Sequence, residues 1–459
     1  MKKKVYPNKV IRKARLKKHL KNSISAKRKK RRRKLKASLE KEMALSLASQ
    51  QLYFDDADFC NELIGQPRVL KSNRKITDYI LKIPKTFDIF SNPEYVLRKV
   101  FELREVLLKP ELKEIKVDYL KTRKISLGSE ALLGILASEI VSYRLKELSD
   151  DGERAFEFLG RLPKRQNVAQ LVDTIGLARE LGDPDFKDAE EHEHIDNLHF
   201  FRADNRYFET ISIKEDKKTK VAEDCVEHLE KCLNSHKLTI KEQAKDRLAA
   251  CLGEVLDNAN EHCARTKSVW YVRSYFNDKE DCSLELMVLN LGNSIAENFE
   301  TLPDDSEIKT IAERYVRRHA SYHSSSALFT VAALQGNISS KGDEDPTRGQ
   351  GSVTLIETFE SIYNDYCTLR KNGDTSDCAE MNLISGNTVV SFNGTHHSLV
   401  KENEDGSESF QMSFNSEQSL QVPPDKSSVY TMNDVSLPGL MINIRIPLTG
   451  STEPLEEAV

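Results

Sequence analysis

Apolar positions recur along this chain with two periods, and the changes of period mark its elements. Ile115, Val117 and Tyr119 alternate within Glu114–Leu120, which predicts a strand with one buried face. Leu132, Leu133, Ile135, Leu136, Ile140 and Val141 then follow helical spacing and predict a helix over Ser129–Leu148. The apolar run Phe156-Glu157-Phe158-Leu159, a turn at Leu162-Pro163 and a second helix from Asn167 to Leu181 complete a strand–helix–strand–helix order. Further helices are predicted at Tyr95–Leu108, Lys220–Asn234, Ile240–Cys263, Asp305–Ala320 and Ser324–Gln335. Strands are predicted at Ser268–Tyr275, Ser283–Asn290, Ala379–Ser385, Val389–Phe392 and Met441–Pro447. Between these strands His396–Ser428 is polar and serine-rich, the composition of a surface insertion.

The N-terminal segment follows neither period. Residues 2 to 36 hold nineteen Lys and Arg and no acid, so the overall net charge of −3 leaves −22 for the rest of the chain. Self-repulsion within Lys27–Lys34 opposes a compact fold unless polyanions neutralise it, which predicts a basic arm, disordered or helical, running into a helix by residue 52. Such an arm favours phosphate contacts that weaken as salt rises; with Tyr6 its only aromatic residue, it favours sequence-independent nucleic-acid binding over base stacking. An anionic membrane surface, a ribosome, a nuclear import receptor or plain solvation are the alternatives. The length predicts two or three domains. The boundaries read as a basic arm and helix at 1–52, a helical connector at 53–111, an α/β domain at 112–182, a linker at 183–215 and a larger α/β domain at 216–450.

No apolar run is long enough to span a bilayer, and no apolar core follows the basic start as in a signal peptide. The eight cysteines form no C-x-x-C pair and read as free thiols in a reducing, cytoplasmic setting. His192-Glu193-His194, with His199 nearby, offers metal-ligand residue types, but the flanking Glu190, Glu191 and Asp196 fit a solvated linker better.

The sharpest chemistry lies in Leu252-Gly253-Glu254-Val255-Leu256-Asp257-Asn258-Ala259. Glu254 and Asn258 stand four apart and so project from one side of a helix. An Asn amide oxygen can coordinate Mg²⁺ that bridges phosphates, while a carboxylate one turn earlier can polarise an attacking water. Taken alone, the pair is as often a solvated helix face.

With its apolar neighbours Leu252, Val255, Leu256 and Ala259, and with Asn260-Glu261-His262 after it, the segment resembles the N-box of GHKL, histidine-kinase-like ATPases. The resemblance extends over residues 220–448. Asn290-Leu291-Gly292-Asn293-Ser294 stands where that superfamily carries its first glycine box, Asp-x-Gly-x-Gly, with Asn290 and Ser294 departing from the pattern. Arg348-Gly349-Gln350-Gly351-Ser352 resembles the second glycine box, whose backbone N–H groups at a helix start suit triphosphate oxygens. Ser339-Ser340-Lys341 resembles the entry to the ATP lid in the branch associated with STAS domains, and residues 112–182 resemble a STAS domain.

The resemblance implies an α/β architecture: a C-terminal GHKL sandwich with a mixed sheet backed by helices, preceded by a small STAS-like domain. It implies ATP and Mg²⁺ as cofactors, Glu254 as catalytic base and Asn258 as magnesium ligand. Asn290, Gly292, Gly349 and Gly351 would bind nucleotide, with Lys341 or Arg348 reaching the γ-phosphate or remaining solvated lid cations. An ATP-dependent homodimer or another protein partner is implied on the same ground. An Asn at position 290 still accepts from an adenine amino group but lacks the carboxylate charge, which weakens adenine recognition and relaxes base choice.

Three functions follow. The first is an ATP-hydrolysing conformational switch coupled to nucleic acid through the arm. The second is an anti-sigma-like serine kinase acting on a STAS domain; Ser126 and Ser129 stand near the corresponding phosphoacceptor position, although a helix cap is their plainer role. The third is a nucleotide-binding scaffold that does not hydrolyse. An ordinary sensor kinase is disfavoured, since no His-Glu-x-x-x-x-Pro segment precedes the domain.

Overall fold

The structure is a computed structural model that describes residues 70, 75–147, 156–182, 193–195, 198–204, 217–234, 238–240, 245–246, 248–250, 252–253, 255–256, 269–277, 283–336, 350–369, 379–402, 408–447 and 452–454. The chain is of mixed α/β class. Strands β1 (Asp78–Lys82), β3 (Glu114–Asp118) and β5 (Glu157–Arg161) form a parallel sheet in the order β1-β3-β5. The short strands β2 (Thr86–Phe87) and β4 (Lys124–Ile125) pair beside it, also in parallel. The expected alternation on β3 holds, with Ile115 and Val117 fully buried. Residues 53–111, expected as a helical connector, also supply β1 and β2; β1 turns only Tyr79 and Leu81 inward, too short a pattern to read as a strand.

Helix α1 (Pro93–Leu107) starts with Asn92 accepting from the Tyr95 N–H and Pro93 in the first turn, where a missing N–H costs nothing. Helix α2 (Leu127–Glu147) is apolar on nearly all sides, as suits a helix buried on both flanks. The predicted second helix divides into α3 (Gln166–Ile175) and α4 (Leu177–Gly182) at Gly176. A Cβ there would lie 2.2 Å from Glu130 Oε1, so glycine lets the chain cross close over α2.

The larger sheet contains β6 (Glu193–Ile195), β7 (Leu198–Asp204), β9 (Val269–Asn277), β10 (Ser283–Leu291), β11 (Glu380–Gly386), β12 (Thr388–Phe392), β15 (Val429–Thr431) and β16 (Leu437–Pro447). Its order is β15-β12-β11-β16-β10-β9-β7-β6 and every pairing is antiparallel. Parallel and antiparallel pairing are thus both present, but in separate sheets. Residues 198–204, read as linker from sequence, form β7 inside the sheet. Phe200 and Phe201 are buried on opposite faces and Arg202 is buried by ion pairing, so the strand lacks the alternation that would reveal it.

One face of this sheet shares a core with α1 and α2 through Tyr271, Tyr275, Met287, Leu289 and Met441. The other, through Trp270, Val272, Leu286, Val288 and Ile444, packs on α5 (Lys217–Asn234), on the helical residues Leu248, Leu252, Val255 and Leu256, on α8 (Ser325–Ala333) and on α9 (Gln350–Leu369). The result is four layers: parallel sheet, helices, antiparallel sheet, helices. Helices α6 (Ile295–Glu300) and α7 (Glu307–His319) pack with α8 in a satellite cluster.

The expected helix from Ile240 begins later, because Leu238–Ile240 is strand β8, paired with β17 (Thr452–Pro454). The serine-rich stretch 396–428 is more than a surface insertion. It forms a hairpin of β13 (Leu399–Glu402) and β14 (Glu408–Gln411), then buries Met412 and Phe414 in the core of the helix-bearing face.

Candidate nucleotide site

Strand β10 carries Leu284, Leu286 and Val288 on the helix-bearing face, and the period of two puts Asn290 on that same face at the end of the strand. Asn290 is buried and lies opposite Trp270 on β9 and Leu440 on β16. Behind it, Gly439 has φ +113, and a Cβ on it would sit 2.1 Å from the Asn290 carbonyl oxygen. Only glycine lets the bulged start of β16 press so close. Gly292, two residues past Asn290, has φ 150, a backbone geometry side chains rarely adopt.

Ser294, which stands where the second glycine of the box is expected, is the N-cap of α6. Its Oγ accepts from the Glu297 N–H at 3.2 Å, and Glu297 accepts from the Ser294 N–H at 2.6 Å, a reciprocal capping box. A serine here therefore has a structural cause: the chain turns directly into a helix that a second glycine would leave uncapped. Ser385, which no motif signals, accepts from the Ile295 N–H at 2.8 Å and donates to the Gly439 carbonyl at 3.3 Å. It ties the start of α6 to the bulged start of β16 beside Asn290.

Helix α9 begins at Gln350, so Gly351 lies in its first turn, and its Val353, Ile356 and Phe359 pack into the core that also holds Leu252, Val255 and Leu256. Asn290 thus ends a strand on the sheet face that Leu248, Leu252, Val255, Leu256 and the first turns of α9 cover. Glu254, Asn258, Lys341, Arg348 and Gly349 lie outside the described residues, as does the arm with Lys27–Lys34. Of the histidines weighed for metal, His192 also lies outside them; His194 pairs with His199 across β6 and β7, and the His199 ring stacks on Phe276.

The opposite face of the same strands is charged. Arg445 on β16 pairs with Glu285 of β10 at 2.7 Å, with Asp88 at 3.4 Å and with Glu380, and its guanidinium lies 4.3 Å from the Phe90 ring centre. Lys124 closes on Asp88 at 2.8 Å. Burial would raise the Asp88 carboxyl, but Arg445 and Lys124 hold it below the usual range. Burial would likewise lower the Arg445 guanidinium, and three carboxylates keep it above its ordinary value.

Glu285 also accepts from the Leu127 N–H at 2.7 Å, so the large sheet caps α2 from outside. This corrects the reading of Ser126 as the side-chain cap. Its Oγ instead accepts from the Ile89 N–H at 2.9 Å and shares a hydrogen bond with Ser129 Oγ at 2.8 Å, both serines being fully buried. A charged residue between apolar neighbours in each strand, Leu284-Glu285-Leu286 and Ile444-Arg445-Ile446, was the available signal for this buried network.

Among the described residues no helix is long and apolar enough to cross a membrane. Comparison of the chain with protein-family models, curated proteins and solved structures finds no match to any of them.

Proposed function

We propose that this chain is an ATP-binding, ATP-hydrolysing switch of GHKL type, coupled to nucleic acid through its basic arm. The observation that carries the reading is the gathering of three separate segments at one sheet face: Asn290 and Gly292 at the end of β10, the helical residues Leu252, Val255 and Leu256, and α9 with Gly351 in its first turn. In this reading Asn258 holds Mg²⁺ on the phosphates and Glu254 polarises the attacking water. Gly292 lets the backbone approach the nucleotide, Asn290 accepts from the base, and Gly349 and Gly351 offer N–H groups to phosphate. Lys341 and Arg348 belong to the lid, and residues 112–182 are the STAS-like part.

Two measurements test it. Glu254→Ala should abolish turnover while sparing ATP binding; unchanged turnover removes Glu254 from the base role. Hydrolysis measured with and without DNA or RNA, in the full chain and in one lacking residues 1–36, should be stimulated only when the arm is present. Comparing ATP with GTP affinity then checks Asn290, since a strong retained ATP preference contradicts relaxed base choice.

A serine kinase would use the same nucleotide chemistry. Ser126 and Ser129 are fully buried against the sheet face opposite Asn290, however, so transfer within one chain has no path in this conformation. Labelled ATP leaving phosphoserine on a separate STAS partner is the result that would favour the kinase.

A further inference from the structure

Helix α7 and the turn after it carry a second cationic surface, on the folded body and remote in sequence from the arm. Arg314, Arg317 and Arg318 are exposed, and spacings of three and four put them on one stripe that runs on to Ser321. Arg317 and Arg318 in the last turn also complement the helix dipole. That leaves Arg314, a turn earlier, and Lys426, from another segment, unexplained. None of the four meets a carboxylate among the described residues; Arg317 Nε donates only to the Glu313 carbonyl, at 3.4 Å.

The stripe ends at a groove of about 460 Å³ lined by Ser321, Tyr322, His323, Lys426 and Tyr430, within the range of ligand pockets, roughly 300–1,000 Å³. The groove has fixed walls. His319 and His323 hydrogen-bond the carbonyls of Leu420 and Pro424 at 3.0 and 2.7 Å, and Ser324 Oγ meets Thr431 Oγ1 at 2.6 Å. At its rim Tyr322 is 58% exposed, the most exposed of the large hydrophobic side chains in the described residues.

We propose that this groove and the Arg314–Arg318 stripe form a binding site for single-stranded nucleic acid. The guanidiniums follow the phosphodiester backbone and an unstacked base lies on Tyr322, beside Lys426. An aromatic platform interleaved with cations suits single strands, because an unpaired base can offer a free face for stacking while the faces of a base in a duplex are covered by its neighbours. The arm, with hardly an aromatic residue, supplies charge without that selectivity. The inference rests on the reading that nucleic acid is the partner, and adds strand selectivity to it.

Fluorescence anisotropy tests it, using a labelled oligo-dT strand and a duplex of equal length, titrated over salt. The proteins are the full chain, Tyr322→Ala, Lys426→Gln, the triple Arg314→Gln, Arg317→Gln, Arg318→Gln, and a full chain with Lys27–Lys34 replaced by Gln. Tyr322→Ala should weaken single-strand binding about tenfold and leave duplex binding nearly unchanged. The triple variant should flatten the salt dependence of single-strand binding by a slope of about 2, at about 0.7 per lost phosphate contact. Neutralising the arm should weaken both ligands. If Tyr322→Ala, Lys426→Gln and the triple variant all bind the single strand as the unaltered chain does, while the arm variant binds neither ligand, the groove is refuted and the arm stands. If the unaltered chain binds neither ligand at low salt, the nucleic-acid reading falls and the groove with it.

Discussion

Ile444 and Arg445 are neighbours on β16 and face opposite sides of the same sheet. Ile444 enters the apolar contact with α5, α8, α9 and the helical residues Leu252, Val255 and Leu256, whereas Arg445 enters a buried ion network that fastens the N-terminal α/β layer. The comparison teaches that the two faces are held by different physics. Apolar packing depends on volume and is little affected by salt or pH, while the charged face holds only as long as every carboxylate keeps its cation.

The largest effect should come from the charged face. Arg445→Ala leaves Glu285, Asp88 and Glu380 without their shared cation and should cost about 3–5 kcal/mol in denaturant unfolding. A loss below about 1 kcal/mol would mean that the network contributes little. Ile444→Ala, one residue away, should cost about 2–4 kcal/mol through lost burial and a residual cavity, with the same loss at low and high salt. If the two variants responded alike to salt, the contrast between the faces would collapse.

Much of this architecture was legible from the apolar periods, because β3, α1 and β10 each bury a clear pattern and α2 is a long, nearly all-apolar helix. Glycine at 292 and 439 was legible only as glycine; the structure adds that both positions take backbone geometries that favour it. What stayed hidden was hidden for physical reasons. Strand β7 is buried on both faces and shows no alternation, while Arg202 and Arg273 look like surface residues until Glu180 is seen pairing both, at 2.9 and 3.0 Å. The 412–428 stretch reads as polar because its few core residues, Met412 and Phe414, are outnumbered by serines and amides that bond backbone. Ser294 looked like a damaged motif and is a helix cap.

Between the two extremes of size lies a pH effect at the helix layer. Burial pushes the Glu130 carboxyl up to about 7, against accepted hydrogen bonds from the Leu177 N–H and Tyr119 hydroxyl that act to lower it. Its folded value lies above its unfolded one, so the folded state holds the proton more tightly. Stability contributed by Glu130 is therefore full below about pH 4.5 and is lost as pH rises through about 7. Glu130→Gln should flatten this dependence, gaining about 2 kcal/mol relative to the unaltered chain between pH 5 and 8. Parallel pH profiles for the two proteins would contradict it. The smallest change is Ser294→Ala, which should cost about 1 kcal/mol by removing the α6 cap. It should also disturb nucleotide affinity more than its stability cost suggests, if the Ser385 tie to Gly439 at the start of β16 holds Asn290 in place; unchanged affinity would detach the cap from the proposed site.

The sandwiching of α2 between two sheets also sets a timetable for synthesis. Its three-stranded partner sheet is complete soon after it, but β16, the middle of its second partner, starts only about 290 residues after α2 ends. At translation rates of about 5–20 residues per second, one apolar flank of α2 waits roughly a quarter to a full minute for cover. During that interval the flank that holds Gly128 and Glu139, which meet Asn443 and Tyr271 in the finished fold, has no sheet to pack on.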